Sequence, residues 1–217
     1  SIYFIPPEII VSIWGIETNY GSYTGGFKVL ESLATLAYLS KRKVFFKKEF
    51  LNAIKIIDDG LISKKFLTGS WAGAMGQSQF MPSSYLNYAV DFSKDEKVDI
   101  WNTKSDVFAS MSNYLHKHGW APDQPWSFEI DKEKFDLIKK LKIKEIDYKT
   151  IALNQLADKE YFKKFKKTSK GKIKIVGKKN EERYFIIFKN FYVLKKYNNS
   201  DFYALTVGSL ANKILNR

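Results

Sequence analysis

Ile13-Trp14-Gly15-Ile16-Glu17-Thr18-Asn19-Tyr20-Gly21 closes the first helical segment of the chain, and the fold and chemistry of the molecule are read outward from it. Pro6 and Pro7 open that segment and Gly21 ends it, the usual asymmetry of helix termini. Ile9, Ile10, Ile13, Trp14 and Ile16 recur at three- and four-residue spacing and mark an apolar stripe. Glu17 lies four residues after Ile13 and three after Trp14, so it falls on the same stripe. Burial there disfavours a charged carboxylate. A carboxylic acid that stays protonated near neutral pH can donate its proton, as the general acid of glycoside cleavage must. A buried Glu paired with a Lys or with backbone amides accounts for the same pattern, so spacing alone leaves both readings open.

Beyond this stretch the chain reads mostly helical to about residue 120. Leu30, Leu33, Leu36, Ala37 and Leu39 give residues 28–39 helical spacing, and Phe46, Phe50, Ala53, Ile54 and Ile57 do so for 44–58. Gly69-Ser70-Trp71-Ala72-Gly73-Ala74-Met75-Gly76-Gln77-Ser78-Gln79-Phe80-Met81-Pro82-Ser83-Ser84-Tyr85 comes next. Its three glycines in eight residues call for close backbone approach. Ser83 or Ser84 is expected to cap a short helix reaching about Tyr88. A further helix is expected from about Ser105 to His118, with Val107, Phe108, Met111, Tyr114 and Leu115 facing inward.

From about Pro122 the character changes. Two short amphipathic pieces, near 132–142 and 148–157, are separated by polar runs. Ile173-Lys174-Ile175-Val176 and Tyr184-Phe185-Ile186-Ile187-Phe188 flank Gly177-Lys178-Lys179-Asn180, which reads as a β-hairpin. The C-terminal segment is a helix through Leu215 with Ser200 or Asp201 at its cap. The expected architecture is therefore α+β and mainly α. A helical core is built from 1–121 and 190–217, interrupted at 122–189 by a basic insertion that contains the hairpin.

The 217 residues suffice for one domain with a sizeable core, or a core with an insertion. With 45% hydrophobic and 16% aromatic residues the chain is a folded protein, not a disordered one. It has no Cys, which excludes disulfides, thiolate chemistry and zinc ribbons. No apolar run approaches the roughly 20 residues that span a membrane. Net charge is +13, and residues 130–196 carry +12 of it, with 21 basic and 9 acidic side chains. Such a segment suits an anionic polymer or surface, or serves only as a solvated face.

Other chemistries fail on their motifs. Neither Gly-x-x-x-x-Gly-Lys-Ser/Thr nor Gly-x-Gly-x-x-Gly occurs. The two histidines, His116 and His118, sit two apart at a helix end and point to different sides. Gly76-Gln77-Ser78-Gln79-Phe80 lacks the second glycine of a nucleophile elbow. What survives is a carboxylic acid among Tyr, Trp, Asn, Gln and Ser, the groups that sugar recognition uses.

Pro6 to Val11 running into Gly15–Gly21 resembles the catalytic helix of the membrane-bound lytic murein transglycosylase B family. So does Gly69–Tyr85, which is similar almost throughout to the family's Gly-Ser-[aromatic]-Ala-Gly-Ala-Met-Gly…Gln-Phe-Met-Pro-Ser-Ser-Tyr run. Asn113-Tyr114-Leu115…His118-Gly119-Trp120 and Asn190-Phe191-Tyr192…Tyr197-Asn198…Tyr203-Ala204 are similar to further blocks in the same order, while 122–188 carries no match. The resemblance implies a lysozyme-like fold and cleavage of the β-1,4 bond between N-acetylmuramic acid and N-acetylglucosamine in peptidoglycan glycan strands. It implies one Glu, here Glu17, acting first as acid and then as base, with a 1,6-anhydro ring in the product and no required cofactor.

By position it implies that Ser70 and Gln79 hydrogen-bond the acid and the N-acetyl groups. Tyr114, Tyr197, Asn198 and Tyr203 line sugar subsites, and core aromatics with satisfied hydroxyls fit the same tyrosines. Lys41-Arg42 stands where the family often has paired Arg facing the peptide stem, and Lys at the first position loses a bidentate fork. Location in the periplasm or cell envelope is implied as well, with membrane association through an N-terminal anchor outside these residues. No nucleic-acid partner is expected.

One loop places oxygen ligands at alternate positions, as an EF-hand loop does. Asp91, Ser93, Asp95 and Asp99 would hold Ca²⁺ there, with Glu96 in place of the turn glycine and Asn102 in place of the bidentate carboxylate. A hydrolytic muramidase and a non-catalytic binder of cell wall or nucleic acid remain the competing classes. The first needs a group to hold a water, and the second leaves Glu17 unexplained.

Overall fold

The structure is a computed structural model that describes residues 2–157 and 170–215. Lysines of the expected basic insertion that fall in 158–169 lie outside the described residues. The chain divides into two units, Ser1–Lys117 with Lys213–Arg217, and His118–Asn212.

The first unit is helical. Helix α1, Pro7–Thr18, begins at two prolines because Pro supplies a helical φ and lacks only an N–H that has no partner there. It ends one turn earlier than Gly21 suggests. Asn19 takes the left-handed conformation at φ 48°, a position that Asn tolerates, and its N–H bonds the Gly15 carbonyl. Ile9, Ile10 and Ile13 are buried, while Trp14, Ile16 and Glu17 are half-buried on the flank of that face. Strand β1 (Phe27–Lys28) leads into α2 (Val29–Leu39) and pairs antiparallel with β2 (Thr68–Gly69). Gly69 is required in β2, because a Cβ there would lie 2.1 Å from the Ala74 carbonyl oxygen.

Helix α3 (Lys43–Asp58) buries Phe46 and Ala53 of the expected face, together with Glu49 and Ile56, and leaves Phe50, Ile54 and Ile57 half-buried. Glu49 is buried but partnered. Its carboxylate accepts the Ser83 N–H at 2.8 Å and the Ser83 hydroxyl at 2.7 Å, at the start of α4 (Pro82–Tyr88). Ser83 and Ser84 therefore do not cap α4. Pro82 begins the helix, Ser83 is already inside it, and the cap comes from a distant buried carboxylate.

Helix α5 (Lys104–Lys117) is buried almost all round, with Asp106, Val107, Ser110, Met111 and Leu115 sealed. Its polar residues serve the chain around it. The Ser110 hydroxyl accepts the Val90 N–H at 2.9 Å, and the Asn113 amide donates to the Tyr88 carbonyl at 2.9 Å.

The second unit holds a three-stranded antiparallel sheet in the order β3 (Ser127–Ile130), β5 (Arg183–Ile187), β4 (Lys172–Val176). The expected hairpin is β4–β5, in register Lys172 to Ile187 and Val176 to Arg183. Strand β3 has no counterpart in the sequence pattern. It pairs Ser127 with Ile187 and Ile130 with Tyr184, which makes β5 the central strand and buries Tyr184 to Ile187 consecutively. Helices α6 (Lys132–Lys140) and α7 (Tyr148–Leu153) are capped by Asp131 and Asp147, which accept the N–H of Lys134 and Thr150. Ile138, Ile146, Ile151, Leu156, Ile186 and Phe188 form the core of this unit.

Helices α8 (Lys189–Tyr197) and α9 (Asp201–Leu215) group largely with this sheet. Phe188 N–H donates to the Trp126 carbonyl at 3.0 Å, and a Cβ on Gly208 would lie 2.2 Å from the Trp126 ring. The buried Asn190 amide donates to the carbonyls of Ala121 and Gln124 and accepts the Ala121 N–H. Contacts thus set the boundary near residue 118 and carry α8 with the sheet, whereas the sequence-based division returned 190–217 to the first core.

Candidate active site

Glu17 stands on the last turn of α1, half-buried, one residue before the buried Thr18. The loop from Gly69 to Phe80 packs beside that turn. Its shape comes from backbone pairing. Ser70 N–H donates to the Ala74 carbonyl at 2.7 Å, and Met75 and Phe80 exchange hydrogen bonds at 2.8 and 3.1 Å. Gln77 ties the loop to α1, since its Oε1 accepts the Trp14 indole N–H at 2.8 Å.

The sequence-predicted residues fall in both units. In the first unit Ser70 is half-buried and its hydroxyl accepts the Ala74 N–H at 3.1 Å, which closes the loop's turn. Gln79 is also half-buried, in the left-handed conformation at φ 50°. Its amide donates to the carbonyls of Thr24 and Gly76 at 3.1 and 2.9 Å. Tyr114 is buried on α5, edge-on to Tyr88 with centroids 4.9 Å apart and tilted against Phe80 at 5.5 Å. Burial, and then the neighbouring Tyr88, push its phenol up to about 12. It is therefore neutral near pH 7. Lys41 and Arg42 are exposed between α2 and α3, where the Arg42 guanidinium lies 4.1 Å from the Phe45 ring centroid.

In the second unit Tyr197 ends α8, Asn198 is exposed in the turn, and Tyr203 is buried in the first turn of α9. The two tyrosine rings are nearly parallel, 12° apart, with centroids at 6.4 Å. The turn is fixed by Ser200, whose hydroxyl accepts the Tyr203 N–H, and by Asp201, which pairs with Lys174 and with Lys195. Both lysines hold the Asp201 carboxyl below its ordinary range.

Three residues escaped the motif reading. Gln77 and Trp71 lie inside the quoted block but have no periodicity to single them out. Trp71 is 65% exposed and borders an open groove of about 310 Å³ with Phe27, Glu31, Ser32 and Thr35. An aromatic face beside hydroxyl and carboxylate groups is a surface that a sugar ring can occupy. The third is Asp106, fully buried, which accepts the N–H groups of Phe92, Ser93 and Asp99.

Asp106 also bears on the expected cation loop. Asp91 accepts the Lys94 and Glu96 N–H groups, and Asp99 accepts those of Trp101 and Asn102 as well as the Asn102 side-chain amide. Ser93 donates its hydroxyl to Asp91, and Asp95 accepts the Lys97 N–H. Glu96 sits at φ 67°, the conformation that favours glycine. Among the described residues no group of three or more His, Asp or Glu is placed to hold a metal ion. As folded, the carboxylates of Asp91, Asp95 and Asp99 accept amide N–H groups of their own loop.

The fold is the lysozyme-like one of lytic transglycosylases. The chain belongs to the family described as the transglycosylase SLT domain, whose model matches residues 1–212. Membrane-bound lytic murein transglycosylase B of Escherichia coli K12 is 33% identical over 215 residues, 99% of this chain and 58% of its own length. SltB3 from Pseudomonas aeruginosa, solved in complex with NAG-NAM-pentapeptide, matches with a TM-score of 0.84 at 36% identity, over 99% of this chain and 58% of that one. Slt35 of Escherichia coli, solved in complex with calcium, matches at 0.79 and 31%, over 99% and 67%. This chain therefore spans 58% of the curated relative that it matches. Lytic transglycosylases need no cofactor. Among the described residues no helix is long and apolar enough to cross a membrane.

Proposed function

We propose that this chain is a peptidoglycan lytic transglycosylase in which Glu17 is the single acid and base. The bond cut is the β-1,4 link between N-acetylmuramic acid and N-acetylglucosamine. One observation carries the reading: Glu17 is a half-buried carboxyl on a helix end tied to the glycine-rich loop. The two fully buried carboxylates among the described residues, Glu49 and Asp106, are committed to amides and a hydroxyl. They are structural, and neither is presented to a second reactant, as a paired-carboxylate hydrolysis would need.

Glu17 gives its proton to the glycosidic oxygen as the bond from that oxygen to C1 breaks. The oxocarbenium-like sugar is held by its own N-acetyl group. The Glu17 carboxylate then takes the proton of the 6-hydroxyl as O6 bonds to C1, closing the 1,6-anhydro ring. The proton returns to Glu17 and no water is consumed. Ser70, Gln79, Tyr114, Tyr197, Asn198 and Tyr203 serve the sugar subsites, and Lys41 and Arg42 meet the peptide stem. Glycan strands of peptidoglycan are the partner, by analogy with the NAG-NAM-pentapeptide bound by SltB3. The site of action is the periplasm or cell envelope, where that polymer lies.

The test is digestion of purified peptidoglycan with mass spectrometry of the soluble muropeptides. The expected products end in 1,6-anhydromuramic acid, one water lighter than muramidase products and without a reducing end. Ordinary reducing ends would assign a hydrolytic muramidase instead. No soluble product at all would leave a binding module.

A further inference from the structure

We infer that Gln77 is a positioning residue for Glu17, an assignment that rests on reading Glu17 as the acid and base. Gln77 is buried, and each of its polar groups has a partner. The side-chain Oε1 accepts the Trp14 indole N–H at 2.8 Å, and Nε2 donates to the Trp101 carbonyl at 2.5 Å. The backbone N–H donates to the Ile100 carbonyl at 2.8 Å, and the backbone carbonyl lies 3.4 Å from the Thr18 hydroxyl, which it shares as an acceptor with the Trp14 carbonyl at 3.1 Å. Trp14 precedes Glu17 by three residues and Thr18 follows it directly. One buried residue thus grips the turn that carries Glu17 from both sides and anchors it to the chain at Ile100 and Trp101.

The chemistry selects Gln at this position. The indole N–H only donates and the Trp101 carbonyl only accepts, so the bridging side chain must offer one acceptor and one donor. Ionised Glu lacks the donor, and Met has no donor and only a weak thioether acceptor. The chain beyond Glu17 is shaped to the same residue. The Thr18 hydroxyl accepts the Gly21 N–H at 3.0 Å, and a Cβ on Gly21 would lie 2.3 Å from Gln77 Oε1. Gly21 also sits at φ 80°, so its place in the motif follows from the approach of Gln77 as well as from the turn.

A group buried behind the acid acts on substrate only through the acid. Loss of its grip moves Glu17 off the glycosidic oxygen in the first step and off the 6-hydroxyl in the second, and a displacement near 1 Å costs about 10²-fold in rate. The deficit belongs in kcat, because ground-state glycan binding does not use Gln77.

The experiment is steady-state kinetics of Gln77→Met and Gln77→Glu on a soluble glycan, in the parent and in the Glu17→Gln background, with melting temperature recorded for each. Gln77→Met is expected to lower kcat by about 10²-fold at the parent's KM. Gln77→Glu keeps the acceptor for Trp14 and serves if the Met variant does not fold; its kcat falls as well, again at unchanged KM. In the Glu17→Gln background neither change lowers the residual turnover further, although each still lowers the melting temperature. A purely structural Gln77 would give folded variants with the parent's kcat, or an additive loss in the Glu17→Gln background, and either result overturns the assignment. Substantial activity in Glu17→Gln alone would remove the reading of Glu17 itself, whatever Gln77 does.

Discussion

Glu17, the proposed acid and base, and Asp201 are carboxyls with different uses. Glu17→Gln keeps size and most hydrogen-bonding capacity but cannot cycle a proton. Acid–base participation is typically worth about 10²–10⁴ in rate, and more is lost where one group serves both steps. Glycan turnover should fall by at least that range while melting stays near the parent's. Retained activity would move the chemistry elsewhere, and an unfolded variant would make Glu17 a structural partner. Asp201 is a structural carboxylate between Lys174 and Lys195, with all three side chains about one-quarter to one-third exposed. Its folded pKa lies below the unfolded one, so its stabilisation is present above the unfolded value, near 3.9, and fades as pH falls through the lower folded value. Asp201→Asn should cost about 1 kcal/mol at pH 7, after allowance for solvent screening. Urea titrations across pH should show the difference closing below about pH 4. A difference that persists unchanged at lower pH would mean that packing, not charge, is lost.

Helices and turns mark where sequence reading reached and where it stopped. Bounds and caps set by local chemistry were legible. Examples are Pro7 at the start of α1, the β4–β5 hairpin, and Ser200 capping α9. What came from tertiary partners was not. Glu49 sits in a helix pattern as an ordinary surface residue, and only the approach of Ser83 makes it a buried cap. β3 is four residues long and gains its identity from pairing with β5. Gln77 lay within a recognised block, but its partners Trp14 and Trp101 are distant in sequence. The Glu49 cap is testable. Glu49→Ala leaves the Ser83 N–H without its buried acceptor, at about 1–3 kcal/mol. That is several degrees of melting temperature for a chain of this size, read by calorimetry. An unchanged melt would mean that water replaces the carboxylate without loss. The 91–102 loop is open to the same measurement. If Asp91, Ser93, Asp95 and Asp99 hold Ca²⁺, millimolar calcium should raise melting above a chelator control, because a ligand that binds only the folded state raises its stability. An unchanged melt would leave the loop a solvated acidic turn.

The charge of the whole molecule is uneven in a way the chemistry of Glu17 does not require. Residues 130–196 carry +12 of the total +13. Among the described residues Lys134 pairs with Asp131 and Lys170 with Glu145, acids already counted in that +12, while Glu129, just outside the segment, pairs with Arg183. Lys139, Lys140, Lys142 and Lys144 remain exposed in one short stretch at the end of α6, and Lys178 and Lys179 in the β4–β5 turn. Clustered ammonium groups raise the local concentration of an anionic polymer and speed encounter with it. Peptidoglycan carries carboxylates on its stems, so the segment should hold the enzyme to the sacculus between cleavage events. The attraction is long-range and therefore screened. The Debye length falls from about 10 Å at 0.1 M salt to about 3 Å at 1 M. Sacculus binding by Glu17→Gln, which separates binding from turnover, should weaken steeply across that range. Replacing Lys139, Lys140, Lys142 and Lys144 by Gln should flatten the salt dependence and leave kcat on a short uncharged glycan at the parent's value. Binding that ignores salt would make the basic segment a solvated face. Tight salt-sensitive binding to duplex DNA, with no turnover of glycan by the parent, would instead point to a nucleic-acid module built on a lysozyme-like fold.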